Sequence, residues 1–125
     1  LTRATVVNAD FTAHPNDLEI VPKNGDPQIY FDDIAVCKGD SMLGLEFHAR
    51  RALPGWTQVF WARDLQFAQA TSERRFYPDG DSIMQFAFQR NPQDTSLRID
   101  PAEDDGVKGA ITIRDVRVYC LDHAG

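Results

Sequence analysis

Apolar and polar residues alternate along this chain in short runs, and turn-forming residues separate the runs at almost every interval. Gln28-Ile29-Tyr30-Phe31-Asp32, Leu43 to Arg50, Thr57 to Arg63, Ser82 to Gln89 and Ser96-Leu97-Arg98-Ile99-Asp100 all show a period of two. That period marks a strand with one buried face. Eight glycines and seven prolines are spread over the 125 residues, with turn pairs at Asn24-Gly25, Asp79-Gly80 and Asp105-Gly106. Such punctuation leaves little room for a long helix.

The clearest run is Ala110 to Leu121, in which Ile111 and Ile113 face inward and Val116, Val118 and Cys120 are expected to join them. The parity changes between Ile113 and Val116, so a β-bulge is expected at Arg114-Asp115. One stretch competes with an all-β reading. Residues 56 to 77 contain neither Gly nor Pro, and Ala62 to Ala70 is rich in helix formers, which would suit a short helix. The preferred reading is a strand ending near Trp61 or Arg63 and then a long surface loop, because Val59, Phe60 and Trp61 are strand formers. With shorter strands at Thr5 to Asn8 and Asp17 to Val21, the sequence predicts an all-β, two-sheet antiparallel β-sandwich or jelly roll of eight or nine strands. It forms a single domain over residues 1–125, expected to be excised from a longer protein.

Composition narrows the partners. Thirteen Lys and Arg against nineteen Asp and Glu give a net charge of −6, whose field repels phosphate backbones and anionic headgroups, so no nucleic-acid partner is expected. No apolar run reaches the length of a membrane span, so direct membrane insertion is not expected either. The sequence opens without an initiator Met, a basic n-region or an apolar h-region, so no signal peptide is expected within this fragment. The two cysteines, Cys37 and Cys120, each sit in an apolar alternating stretch. A disulfide between them is open, but two reduced core thiols are the preferred reading, since free Cys is among the most buried residue types and disulfide-dependent small domains usually carry more cysteines.

Catalytic signatures are missing from the sequence. It contains no Gly-x-Ser-x-Gly elbow, His-Glu-x-x-His, Walker loop or Cys-x-x-Cys, and His14, His48 and His123 are scattered. A carboxylate pair such as Glu46 with Asp64 has the chemistry for glycoside hydrolysis, but any acid-rich chain offers such pairs. The chain is expected not to be an enzyme.

The order of motifs is more specific. Gln58-Val59-Phe60-Trp61 precedes a loop with Phe67 and Ala68, then come Phe86-Ala87-Phe88, Leu97-Arg98-Ile99-Asp100-Pro101 and the last strand from Gly109 to Val118. This order, over roughly residues 43 to 121, resembles the β-sandwich, carbohydrate-binding-module-like accessory domain attached to bacterial glycosyltransferases and surface-polysaccharide assembly proteins. The resemblance implies a non-catalytic module, with carbohydrate or the parent glycosyltransferase as partner and the cytoplasm as favoured location. The alternative is a structural or protein-interaction domain that positions or dimerises the parent enzyme without binding sugar. That alternative places exposed aromatics such as Phe76 and Tyr77 against the parent chain or a second copy.

Sugars present apolar C–H faces and a rim of hydroxyls, so a site for them needs flat aromatics beside charged or amide side chains. Trp56 after the Pro54-Gly55 turn, with Gln58, Trp61 and Arg63, supplies those groups, although each indole also suits the core. A second candidate surface is Phe76-Tyr77 behind Glu73-Arg74-Arg75, with Arg75 and Tyr77 as its binding candidates. No cofactor is required. Asp100, Glu103, Asp104 and Asp105 supply the hard oxygens of a structural calcium site, but they lack the ligand spacing of an EF-hand loop, and a solvated acidic turn is the simpler reading.

Overall fold

The computed structural model describes residues 5–7, 9–13, 17–22, 27–31, 42–63, 65–89, 94–102 and 111–121. Ten strands run in chain order: β1 (Thr5–Val7), β2 (Ala9–Ala13), β3 (Asp17–Pro22), β4 (Gln28–Phe31), β5 (Met42–Arg51), β6 (Gly55–Ala62), β7 (Ser72–Tyr77), β8 (Gly80–Phe88), β9 (Ser96–Asp100) and β10 (Ile111–Leu121). They form two five-stranded sheets, β1-β4-β9-β6-β7 (sheet A) and β2-β3-β10-β5-β8 (sheet B). The observed strand pairs are antiparallel. The two-sheet β-sandwich expected from the alternation is therefore present.

The strand count exceeds the expected eight or nine because of β2 and β7, each of which lies at a sheet edge. An edge strand pairs on one side only and is often marked by charge, so its residues need not alternate. In Ser-Glu-Arg-Arg-Phe-Tyr of β7 no side chain is fully buried, which is why the sequence reads as loop. The competing helix reduces to one 3-10 turn, Gln69–Thr71.

Pleating fixes the faces, because residues directly opposite across an antiparallel pair point to the same side of the sheet. Leu43, Leu45 and Phe47 of β5 stand beside Phe88, Phe86 and Met84 of β8. These side chains are buried against Ile29 and Phe31 of β4, Val59 of β6, and Leu97 and Ile99 of β9. Burying each such side chain contributes about 1.5–3 kcal/mol. Arg51, only 3% exposed, ties the sheets at one end. Its Nη1 donates to Thr57 Oγ1 at 2.8 Å and to the Pro101 carbonyl at 2.9 Å, and its Nε donates to the Leu53 carbonyl.

The expected bulge lies in β10, where the register against β5 shifts between Arg114 and Arg117 and Asp115 adopts φ 54°. Beyond it Val116 and Val118 pack against the core as expected. Cys120 departs from expectation twice. It is exposed near the end of the strand, and it is disulfide-bonded. The reasoning for a reduced thiol depended on burial, which Cys120 lacks. Cys37 lies outside the described residues.

Candidate functional site

The outer side of sheet A carries the chemistry. Along β6, Trp56, Gln58 and Phe60 point outward, away from sheet B, while Thr57, Val59 and Trp61 point inward. Pairing then extends each position into a row across the sheet. Trp56 faces Phe76 of β7; Gln58 lies between Arg74 of β7 and Asp100 of β9. Phe60 faces Arg98 of β9, which in turn faces Tyr30 of β4. From Trp56 to Phe60 the strand covers about 13 Å.

Contacts knit these rows together. Arg98 holds Asp100 through two bonds, Nε to Oδ1 and Nη2 to Oδ2, both at 2.6 Å. Its guanidinium lies 4.5 Å from the Phe60 ring centre and 5.9 Å from that of Tyr30. Gln58 donates from Nε2 to Gln69 Oε1 at 2.8 Å and to Ser72 Oγ at 2.9 Å. At the other end Trp56 meets Phe76 edge-on at 5.5 Å, and the Arg74 guanidinium lies 4.1 Å over the indole. Such cation–π and edge-to-face contacts hold aromatic rings in place while leaving N–H groups at their rims.

The segment between β6 and β7 covers part of this face. Gln66 N donates to the Arg63 carbonyl, and Leu65 N, in a residue at φ 62°, donates to Ser96 Oγ at 3.2 Å. A left-handed leucine is uncommon and is held here by that bond. The segment brings Phe67 over the sheet, 5.7 Å from Tyr30 and 6.3 Å from Phe60. Phe60 and Gln58 face outward yet are 4% and 6% exposed. Phe76, by contrast, is 57% exposed, so the face is closed at the Phe60 end and open at the Trp56 end.

Of the six side chains proposed from sequence, two meet here, Trp56 and Gln58. Trp61 does not join them, because five positions of pleated strand place it on the opposite side. It stacks on Phe88 at 4.0 Å between the sheets. Arg63 is exposed at the bend after β6. Arg75 and Tyr77 also have inward parity and sit where the edge of sheet A meets β8. Arg75 donates to the Gln85 carbonyl at 2.6 Å and pairs with Glu73 at 2.7 Å. That bond to Glu73 raises the Arg75 pKa against an opposing effect of burial. Tyr77 packs edge-on to Phe86, and its pKa is raised by burial, which outweighs the lowering influence of Arg75.

Asp100, expected among calcium ligands, gives both carboxylate oxygens to Arg98. Glu103, Asp104 and Asp105 lie outside the described residues, as does Asp64. Among the described residues no group of three or more His, Cys, Asp or Glu side chains is placed to hold a metal ion. Sequence reasoning missed Tyr30, Phe60, Phe67 and Arg98 as members of the face. The even spacing of Trp56, Gln58 and Phe60, and of Arg98 and Asp100, was a usable signal for two strands taken singly. Their adjacency was not.

No family model matches the sequence, and no curated protein matches it. Solved structures do. The chain superposes with TM-score 0.68 on a structure described as "CBM4 structure and function", at 14% identity, covering 94% of this chain and 78% of that one. A second, "BiXyn10A CBM1" in its apo form, gives TM-score 0.61 at 12% identity over 91% of this chain and 90% of that one. A family 29 carbohydrate-binding module with mannohexaose bound gives TM-score 0.55 at 12% identity over 94% of this chain and 79% of that one. The fold is thus the β-sandwich of carbohydrate-binding modules. Among the described residues, no helix is long and apolar enough to cross a membrane.

Proposed function

We propose that the chain is a non-catalytic carbohydrate-binding module that holds a saccharide on the outer side of sheet A. The observation that carries this reading is one continuous face on which Trp56, Tyr30, Arg98 and Arg74 stay accessible, while the nearly buried Phe60, Gln58 and Asp100 hold them in place from beneath. Accessible aromatic rings receive the C–H faces of a sugar, and the guanidiniums of Arg74 and Arg98, the latter fixed by Asp100, receive its hydroxyls. The open end at Trp56 admits the ligand. Neighbouring family 29 modules support the choice of residue types, since an arginine and an aspartate two positions apart in sequence were replaced there to probe ligand recognition. Arg98 and Asp100 have the same spacing and share a face.

The accessory role beside a glycosyltransferase rests on the motif order from Gln58 to Val118 alone. For location, the disulfide at Cys120 favours an oxidising compartment over the cytoplasm expected from the resemblance. The alternative role, docking to a parent chain or a second copy, draws on the exposure of Phe76. Sedimentation separates the two, because docking between copies gives a dimer that Phe76→Ser dissociates.

Calorimetric titration against a panel of neutral polysaccharides and oligosaccharides, mannohexaose included, tests the main reading. Binding to at least one, weakened about tenfold or more by Trp56→Ala, is expected. Binding to none, from a folded protein, contradicts it.

A further inference from the structure

The opposite outer surface, on sheet B, holds a second set of groups that the sheet A site does not use. A cavity of about 310 Å³ is lined there by side chains including His48, Arg50, Asp81, Ile83, Thr112 and Arg114. Three strands supply it in two rows. Asp81 of β8, Arg50 of β5 and Thr112 of β10 form one, and Ile83, His48 and Arg114 form the next. In a chain of net charge −6 this lining brings two guanidiniums against one carboxylate, and the rows continue into β3 with Glu19 opposite Thr112 and Asp17 opposite Arg114. Among the described residues neither Arg50 nor Arg114 is engaged in an ion pair or side-chain hydrogen bond, although Asp81 faces Arg50 across the strands. Glu46, the next carboxylate along β5, already accepts from Gln85 Nε2 at 2.8 Å.

Two backbone features place further side chains in line with the cavity, forming a track along the outer side of β5. The bulge at Asp115 inserts one residue, so that Arg117 faces Glu46 on the same outer side as Arg114. In an unbroken strand, a spacing of three would have turned it inward. Further along, Tyr119 faces Gly44, and a Cβ at Gly44 would run into the tyrosine ring. Glycine therefore lets that ring lie on the sheet, where Tyr119 remains 39% exposed. From His48 to Gly44 the track covers about 13 Å.

We propose that this track binds an acidic oligosaccharide, a chain of uronic acid residues. Arg50 and Arg114 receive a carboxylate in the cavity. Thr112 and Asp81 bond ring hydroxyls, Ile83 meets an apolar sugar face, and Tyr119 receives a later residue of the chain. Guanidinium pairs match carboxylates geometrically as well as by charge. A small inorganic anion would use the two arginines but leave the cavity, Ile83 and Tyr119 without a role. The saccharide part of the proposal rests on the reading of sheet A; the anionic part rests on the lining of this cavity.

The test is calorimetric titration of the folded protein with uronic acid tetrasaccharides (galacturonate, mannuronate and glucuronate-containing), their neutral methyl esters, neutral oligosaccharides and inorganic phosphate. At least one uronate is expected to bind about tenfold or more tightly than its ester. Arg50→Gln with Arg114→Gln should abolish that preference, Tyr119→Ala should weaken binding by a smaller factor, and Trp56→Ala should leave it in place. The two arginines are exposed, and unchanged thermal unfolding midpoints would show that their replacement leaves the fold intact. The proposal is overturned if no uronate binds, if the ester binds equally well, if only Trp56→Ala removes binding, or if phosphate binds as tightly as the uronate and displaces it. Neutral oligosaccharides report separately on sheet A, so failure of that reading is visible without failure of this one.

Discussion

The outer faces of the two sheets point in opposite directions and are finished in opposite ways. On sheet A, Gln58, Phe60 and Asp100 face outward and are nevertheless 6%, 4% and 3% exposed, because Phe67, Gln69 and the Arg98 side chain lie over or beside them. On sheet B the outward positions of the inner strands β5 and β10 stay open at Arg50 and Arg114, which have no partners among the described residues, and Ile83 of the edge strand β8 is 58% exposed. Outward orientation and exposure are therefore separate properties. A covered polar and aromatic face is ordered before any ligand arrives, whereas ordering a mobile side chain on binding costs about 0.5–1.5 kcal/mol. On that ground sheet A should bind with the smaller entropic penalty, and sheet B should gain more from charge and lose more to salt.

The sharpest way to break the comparison uses the two tryptophans of β6, which lie on opposite sides of one strand. Trp61→Ala removes a ring stacked on Phe88 and should destabilise the domain by about 3 kcal/mol, measured by urea unfolding, while the folded fraction still binds sugar. A loss of affinity without loss of stability would place Trp61 in the site instead. Asp100→Asn breaks a nearly buried bidentate pair and should cost about 2 kcal/mol in the same measurement, together with weaker binding. Trp56→Ala should reverse the pattern seen for Trp61, with a roughly tenfold loss of affinity and a smaller stability loss of about 1 kcal/mol from its contacts with Phe76 and Arg74.

The smallest effect concerns the seam between the sheets. Burial raises the Tyr77 pKa above its ordinary value of 10.0. A group whose folded pKa is raised contributes stability that is present below the unfolded pKa and lost as pH rises through the folded pKa. Stability should therefore fall above about pH 10. Tyr77→Phe should make the decline shallower, measured by unfolding at a series of alkaline pH values. An unchanged slope would remove Tyr77 as its source.

How much of this was legible in the sequence follows from the same contrast. Strand β8 exposes one face and buries the other, so Met84, Phe86 and Phe88 alternate visibly with Ile83, Gln85 and Ala87. Strand β6 is largely buried on both faces, so parity in its sequence separates sides but not core from site. That is why Trp61 was grouped with Trp56, although an odd spacing already divided them. The bulge at Asp115 was legible because it breaks the alternation of a long strand. The edge strand β7 was not, since its residues need satisfy only one neighbour. The joining of Arg98 and Tyr30 to Phe60 depends on β9 pairing with both β6 and β4, a long-range adjacency that no local pattern encodes.

The central claim, that the outer side of sheet A is a saccharide site, is tested most directly by mapping amide chemical-shift changes in the folded domain during titration with a neutral oligosaccharide that binds it. Changes concentrated at Trp56, Gln58, Arg74, Arg98 and Asp100, with the outer side of β5 and β10 unaffected, are expected. Changes confined to sheet B, or saturable binding that leaves these five positions unmoved, would contradict the claim.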